Sequence, residues 1–252
     1  MDKGEFDGKV VLVTGAASGL GREASMRFAT EGARVCLVDL NADGVSETAR
    51  RIAEAGGESV VYAGDLGDPE NCARAVATAV QTFKRLDVLC NIAGILRFHA
   101  LADVTIDIWE RLFSANVTAP FFMTQAAMPH LVEAKGNVVN VVSTAAFLGQ
   151  AYTAPYAATK TALLSLTKSL AMEFMHAPVR INALAPGGMM TEMVQSLEFP
   201  EGADQSLIAR YTGIRPPSQP GDIVEPLMFL ASDRALSVHG ACFSADNGIT
   251  SG

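Results

Sequence analysis

The stretch VVLVTGAASGLG, residues 10–21, places a short apolar run directly before a glycine-rich turn. Helical periodicity begins inside the turn and continues to Thr30. Between a strand and a helix, such a turn lets backbone N–H groups and the positive helix end approach a pyrophosphate, because glycine has no side chain to block it. Glycines also make ordinary tight turns, so the position in the first strand-turn-helix unit is what predicts a dinucleotide site.

Similar apolar runs recur along the chain, and helix-periodic segments separate them. Runs rich in β-branched residues without polar alternation indicate strands buried on both faces. Their alternation with helices predicts parallel pairing through right-handed crossovers, and therefore an α/β fold: a doubly wound parallel sheet with helices on both faces, in three layers. The expected strands are 10–13, 35–38, 59–62, 88–91, 138–142 and 181–184, and the expected helices are 19–30, 43–55, 69–83, 108–133, 155–174 and 222–231.

The length of 252 residues fits one large α/β domain. We expect a single domain over 1–252, with a cofactor half at 1–140 and a catalytic half at 141–252. Segment 187–220 departs from the alternation. A long connection in a compact domain is either a functional lid or poorly ordered, and the apolar residues of this one favour a substrate lid. They include Met189, Met190, Met193, Leu197 and Phe199.

Composition excludes several function classes. A net charge of −8 argues against nucleic acid or anionic lipid as a partner, because both need clustered Lys and Arg. No apolar stretch reaches the ~18 residues of a membrane span. The four cysteines and four histidines lack the spacing of metal ligands, so no metal is expected. Cysteines without disulfide spacing indicate a reducing compartment, and we expect the cytoplasm.

An acidic residue follows the glycine turn at the distance typical of dinucleotide sites. Asp39 ends the second strand, where a carboxylate can accept hydrogen bonds from the adenosine ribose hydroxyls and would repel a 2′-phosphate. The next residue is Leu40 rather than arginine, so NAD is predicted over NADP. Arg22 is the one nearby cation that would favour NADP, but a solvated position in the first helical turn is the better interpretation of it.

A tyrosine and a lysine are placed for acid–base chemistry. Tyr156 and Lys160 lie four residues apart, so their side chains project from one helix face. A neighbouring ammonium favours the phenolate and lowers a tyrosine pKa from about 10 toward the working range. Ser143 ends the preceding strand and can donate a hydrogen bond to a substrate oxygen. A Tyr-x-x-x-Lys pair also occurs by chance on helix surfaces, although no other tyrosine in this chain has a lysine four residues on.

Together these motifs resemble the short-chain dehydrogenase/reductase family, in its branch of about 250 residues, over essentially the whole chain. The resemblance implies a Rossmann-type sheet of seven strands, a nicotinamide cofactor at its carboxyl edge, and a homotetramer or homodimer. It is carried, in order, by Thr14-Gly15-x-x-x-Gly19-x-Gly21, Asp65-Leu66, Asn91-Ile92-Ala93-Gly94, Asn116, Ser143, Tyr156-x-x-x-Lys160, Arg180-x-Asn182 and Pro186-Gly187.

By position, the resemblance implies a catalytic set. Tyr156 would exchange the proton with the substrate oxygen, and Lys160 would lower the tyrosine pKa and hold the nicotinamide ribose. Ser143 would orient the substrate oxygen, and Asn116 would hold a water that relays protons from Lys160. The expected cofactor-binding residues are Gly15, Ser18, Gly19, Leu20, Gly21, Asp39, Leu40, Asp65, Leu66, Asn91, Ala93, Gly94, Tyr156, Lys160, Pro186, Gly187, Met189 and Thr191.

These residues favour an enzyme over a dinucleotide-sensing protein on the same fold, because a binding module has no chemical reason to keep the catalytic set together. The apolar lid favours a secondary alcohol or ketone on a hydrophobic body of alicyclic, terpenoid or steroid type. The alternative is a 3-oxoacyl thioester reductase, which would ordinarily prefer NADPH and benefit from basic residues facing an acidic carrier. Asp39 and the acidic balance count against it.

Overall fold

One parallel sheet of seven strands organises the chain, in the order β3-β2-β1-β4-β5-β6-β7. The structure is a computed structural model that describes residues 4–191, 194, 197–211, 213 and 215–251. The predicted α/β fold is confirmed, and strand order reverses between β1 and β4. The strands are β1 (Val10–Thr14), β2 (Arg34–Asp39), β3 (Glu58–Ala63), β4 (Val88–Asn91), β5 (Asn137–Val141), β6 (Arg180–Pro186) and β7 (Cys242–Ala245).

Helices follow the strands, and local signals fix several of their ends. The Asp68 side chain accepts from the Glu70 N–H, and Pro69 occupies the first turn, where its missing N–H costs nothing. No helix in the described part of the chain is both long and apolar enough to cross a membrane. The helices are α1 (Gly19–Thr30), α2 (Ala42–Glu54), α3 (Pro69–Phe83), α4 (Ile106–Phe113), α5 (Ala119–Ala134), α6 (Ala154–Glu173), α7 (Gln205–Ile208) and α8 (Pro220–Ala231).

The helices cover both faces of the sheet and produce two main core layers. Alternate residues of β1 enter different layers, as the period of two in a strand requires. Val11 packs with Phe28 of α1 and Leu227 of α8 on one face. Leu12 packs on the other face with residues of α3 and α5, including Leu131. Strands β1, β4 and β5 are buried along their whole length, which explains their continuous apolar runs.

The predicted boundaries fail at a few places for local reasons. The single helix expected over 108–133 is wrong, because a π-helical turn at Ser114–Thr118 separates α4 from α5. Helix α8 begins two residues earlier than expected, because Asp222 accepts from the Gln219 N–H at 2.9 Å and therefore lies inside the first turn. Strand β6 continues through Pro186, which pairs with Ala245 of β7.

Candidate active site

The carboxyl ends of the central strands open into a cleft of about 800 Å³. This is where the loops after parallel strands meet, on either side of the reversal between β1 and β4. Two predicted site residues, Asn91 and Asn116, are not part of its wall. The predicted residues that line the cleft are Gly15, Ser18, Gly19, Leu20, Gly21, Asp39, Leu40, Asp65, Leu66, Ala93, Gly94, Ser143, Tyr156, Lys160, Pro186, Gly187, Met189 and Thr191.

The glycine turn is tight for steric reasons. Gly15 has a φ of +72°, and a Cβ there would lie 3.0 Å from the backbone of Ala93. A Cβ at Gly21 would lie 2.0 Å from the Gly15 carbonyl oxygen. Ser18 precedes α1 in an extended conformation and makes no side-chain capping hydrogen bond. The first-turn N–H groups of α1 therefore receive no acceptor from this side chain, and Gly19, Leu20 and Gly21 line the cleft, as an anion site requires.

The acidic end of β2 is fixed beside this turn. The Asp39 carboxylate accepts hydrogen bonds from the Ala17 N–H at 3.0 Å and the Asn41 N–H at 2.9 Å. Its charge is held at the cleft wall while the side chain stays partly exposed. Leu40 follows it and is 68% exposed. This end of the cleft thus offers a carboxylate and an apolar side chain.

Arg22 lies in the first turn of α1 as expected, but it is only partly solvated. Its half-buried guanidinium donates to the Ala17 carbonyl and, at 3.1 Å, to the Thr48 hydroxyl. Arg22 does not line the cleft. The cation braces the back of the glycine turn, because the turn leaves a carbonyl there that needs a donor.

The proton-transfer groups meet where β5 ends and α6 passes over it. The Lys160 side chain is 5% exposed, and its Nζ donates to the Val141 carbonyl at 2.9 Å. The same Nζ lies 5.8 Å from the centre of the Tyr156 ring. Ser143, two residues beyond Val141, lines the same cleft, and its side chain acts to lower the pKa of Tyr156. The predicted triad is therefore brought together by one strand end and one helix face.

Burial dominates the electrostatics of this pair. It raises the pKa of Tyr156, and the hydrogen bond with Ser143 only partly opposes the rise. The lowered tyrosine pKa expected from the neighbouring lysine is therefore wrong for the protein groups alone, because desolvation of the phenolate dominates. Burial also lowers the pKa of Lys160 from 10.5 to about 8. A lysine with this pKa can change protonation state near neutral pH.

Asn91 and Asn116 are buried behind the residues that line the cleft. Asn91 Nδ2 donates to Asn140 Oδ1 at 2.8 Å in the core between β4 and β5. Asn116 is fully buried in the π-helical turn, and its amide pairs with both backbone groups of Ile95, donating to the carbonyl at 3.0 Å and accepting from the N–H at 2.8 Å. Neither asparagine touches the cleft, but each holds in place a segment that borders it.

The far end of the cleft has an apolar wall that periodicity did not reveal. Its residues come from the loop after β4, the 187–220 segment and the C-terminal turn, and none of these has a repeating pattern. Phe98 and Phe199 pack together there, with ring centres 4.5 Å apart. Gln150 is one of the polar side chains at this end. The apolar residues that sequence reasoning missed include Ile95, Leu96, Phe98, Ile208 and Ile249.

Polar contacts tie segment 187–220 to the rest of the protein. The Asp204 N–H donates to the Tyr152 hydroxyl at 2.9 Å, and Asn247 Nδ2 donates to the Pro216 carbonyl at 2.9 Å. Asn247 has a φ of +55°, which asparagine tolerates, so the C-terminal turn forms without a glycine at this position. Leu197 and Phe199 line the cleft, whereas Met193, with residues 192, 195, 196, 212 and 214, lies outside the described residues.

The site as a whole suits proton exchange beside a bound dinucleotide. A glycine turn and a carboxylate occupy one end, and a phenol, a serine and a buried lysine occupy the middle. Across the described ranges, no group of three or more His, Cys, Asp and Glu side chains is placed to hold a metal ion.

Comparison with known proteins agrees with this geometry. A model of the family described as short chain dehydrogenase matches residues 9–201. An L-rhamnose 1-dehydrogenase (NAD(P)(+)) of a Sphingomonas species is 36% identical, with 97% of each chain covered. A 2,5-dichloro-2,5-cyclohexadiene-1,4-diol dehydrogenase of Sphingobium indicum is 35% identical, with 96% of each covered. The crystal structure of carveol dehydrogenase from Mycobacterium avium in complex with NAD superimposes with a TM-score of 0.88 at 26% identity, over 99% of this chain and 100% of that one.

The buried lysine gives stability a pH dependence that can be measured. Between about pH 8 and 10.5 the unfolded chain retains the Lys160 proton that the folded chain releases, so this group makes wild-type stability rise with pH across that window. Lys160→Met removes the burial penalty. We expect the stability of the variant relative to wild type to be greatest below pH 8 and to fall toward pH 10.5, measured by urea unfolding.

Lys168→Met is the matched control, because Lys168 lies exposed on the same helix. Its difference from wild type shows the general effect of removing a lysine from this helix. A Lys160→Met difference that stays constant between about pH 8 and 10.5 would contradict a burial-lowered lysine pKa.

Proposed function

Because the chain belongs to the short-chain dehydrogenase family, we propose that it interconverts a secondary alcohol and a ketone on a hydrophobic, alicyclic substrate, with NAD as hydride carrier. One observation carries the proposal: Ser143, Tyr156 and Lys160 converge at the end of β5, in the same cleft as the glycine turn. The triad can move a proton at a substrate oxygen, and the turn can hold the pyrophosphate beside it.

The residues of the chain divide the proton chemistry. Ser143 and Tyr156 hold the substrate oxygen between two hydroxyls, and the Tyr156 oxygen takes the proton when an alcohol is oxidised or returns it when a ketone is reduced. Lys160, with its pKa near 8, exchanges that proton onward and holds the ribose. NAD, when bound, supplies the hydride acceptor and a positive ring that favours the phenolate.

The choice of NAD rests on the end of β2. Asp39 is fixed by two backbone N–H groups, so its carboxylate cannot easily turn away from a 2′-phosphate. The exposed Leu40 offers no cation, and Arg22 is committed to the back of the glycine turn. A ribose with free hydroxyls fits these groups better than a phosphorylated one. In this proposal residues 1–140 hold most of the cofactor, and 141–252 supply catalysis and the lid.

The apolar far wall supports a hydrophobic substrate. Phe98 and Phe199 pack there, and Ser143 and Tyr156 provide the hydroxyls that fix the reacting oxygen. Two of the relatives are named for cyclic alcohols, carveol and a dichlorocyclohexadienediol. Among the described lining residues, Lys160 and Arg215 are the cationic ones, so the cleft lacks the basic cluster that a carrier-bound 3-oxoacyl thioester would favour.

Exposed apolar side chains support a homo-oligomer, with a homotetramer as the proposal and a homodimer as the alternative. Phe243 on the edge strand β7 is 44% exposed, and Met172 on α6 is 70% exposed. A second exposed group lies on α4, where Trp109 stacks on Phe113. Exposed apolar side chains on an edge strand and on helices would serve the two kinds of contact that a tetramer needs.

The cysteines support a cytoplasmic location. All four are free thiols, and Cys36, Cys72 and Cys90 are buried. Desolvation raises the pKa of Cys72 to about 11, which keeps it protonated and unreactive. A chain without disulfides suits a reducing compartment.

Tyr156→Phe tests the catalytic role. The change deletes the exchangeable proton and leaves the ring, so we expect turnover of a cyclic ketone to fall about 100- to 10,000-fold while NADH affinity is retained. Initial rates and NADH fluorescence titration measure the two effects. Tyr62→Phe, on a strand outside the cleft, is the control and should keep its rate. A Tyr156→Phe enzyme with most of the wild-type rate would refute the assignment.

Asp39→Ala combined with Leu40→Arg tests cofactor choice. The pair removes the repulsion of a 2′-phosphate and adds a partner for it, so we expect the ratio of kcat/KM for NAD over NADP to fall at least about tenfold. In Leu40→Arg alone, which keeps the carboxylate, this ratio should fall less. An unchanged ratio in the double variant would show that Asp39 does not select the cofactor.

Phe243→Glu tests the assembly. A charge on the exposed edge strand should weaken contacts between copies, so we expect light scattering to give a lower mass than for wild type. Phe147→Glu is the matched control, an equally exposed phenylalanine that lies off the β7 face. A wild-type mass equal to one chain would contradict the oligomer.

A further inference from the structure

A threonine lies between the two catalytic side chains of α6 and is fully buried. Thr159 follows Tyr156 by three residues and immediately precedes Lys160. Its hydroxyl donates to the Tyr156 carbonyl at 2.6 Å and accepts from Asn116 Nδ2 at 3.0 Å. Its exposed fraction is 0%. The hydroxyl therefore connects the catalytic helix to the π-helical turn.

Asn116 carries this connection to a third element. Its amide bonds both backbone groups of Ile95, which lines the cleft next to Gly94. The space at Gly94 is limited by the same groups, because a Cβ there would lie 3.0 Å from Asn116 Oδ1 and 3.4 Å from Lys160 Nζ. The loop after β4, the π-helical turn and α6 thus meet within a few ångströms of the lysine.

The hydroxyl of Thr159 binds a different backbone carbonyl from those of Thr161 and Thr167 on the same helix. Thr161 donates to the carbonyl four residues back, at 2.9 Å, and lies exposed. Thr167 also donates four residues back, to Leu163 at 2.8 Å. This is the usual bond of a helical threonine. Thr159 instead reaches three residues back, and the carbonyl that it binds belongs to the catalytic tyrosine.

We propose that Thr159 is a positioning residue for the reaction, one that sets the place of Tyr156 relative to Ser143 and Lys160 by tying the helix to Asn116. The proposal rests on the proposed oxidoreductase function. A valine at this position would remove a hydrogen bond from each of two buried groups, Asn116 Nδ2 and the Tyr156 carbonyl, and Asn116 Nδ2 would keep only its bond to the Ile95 carbonyl. Rearrangement to satisfy them would displace the phenol, and a displacement of about 1 Å can cost about 100-fold in rate.

Loss of the Thr159 hydroxyl should change the pKa of Tyr156 as well as the stability of the protein. The hydrogen bond with Ser143 lowers the pKa of Tyr156 against the effect of burial. If Thr159 sets that geometry, its loss weakens the opposing hydrogen bond, and the phenol titrates at higher pH. A purely structural role would lower stability and leave this titration unmoved.

The test compares Thr159→Val, Thr159→Ser and the control Thr161→Val in the whole protein. For Thr159→Val we expect kcat for a cyclic ketone to fall about 10- to 100-fold with KM and NADH affinity nearly unchanged, and the pH profile of kcat to move upward. Thr159→Ser retains both hydrogen-bonding capacities and should restore most of the rate. Thr161→Val should match wild type.

Phenolate absorbance provides a second readout that needs no turnover. The Tyr156 titration is isolated as the difference from Tyr156→Phe, and we expect it at higher pH in Thr159→Val. If wild type turns over no ketone, the proposed function fails, and this titration still decides whether Thr159 positions the phenol. A Thr159→Val protein with wild-type kcat and titration would overturn the inference, as would a Thr159→Ser protein as impaired as the valine.

Discussion

The parallel pairing of β1 with β4 is the constraint on which the rest of the structure depends. Val11 pairs with Val88 and Leu12 with Leu89, and strand order reverses at this seam. The loops that follow β1 and β4 must therefore turn away from each other, and a cleft opens between them at the carboxyl ends of the strands. The seam is closed by Thr14, whose hydroxyl accepts from the Ala93 N–H at 3.0 Å. The glycine turn and the loop of the substrate side are thereby fixed against each other.

Burial at this cleft shifts the pKa values of both Lys160 and Tyr156, with opposite value for proton exchange. Lys160 is held in a site that lowers its pKa to about 8, which destabilises the charged form but makes the group able to exchange protons. The same desolvation raises the pKa of Tyr156, which disfavours the phenolate. Ser143 opposes this rise, and the hydrogen bonds of Thr159 with Asn116 and the Tyr156 carbonyl hold the helix that carries the phenol.

What the sequence predicts well is what neighbouring residues determine. The glycine turn, the buried strands and the Tyr156–Lys160 spacing are local, and the structure places them as expected. The π-helical turn escaped prediction, because it is accompanied by Asn116 bonds to residues 21 and 43 positions away. Arg22 was misread for a similar reason, since its partner Thr48 lies on the next helix. The apolar wall of the cleft takes its residues from three loops, and no periodic pattern in the sequence indicates it.

The most direct test of the account is to follow the hydrogen itself. A cyclic secondary alcohol carrying deuterium on its carbinol carbon is incubated with NAD and the purified protein, and the reduced cofactor is examined by mass spectrometry. Direct hydride transfer predicts one deuterium in the NADH, formed together with the ketone. Tight NAD binding without reduction across alicyclic, terpenoid and steroid alcohols would contradict the account, and would favour a protein that only senses the dinucleotide.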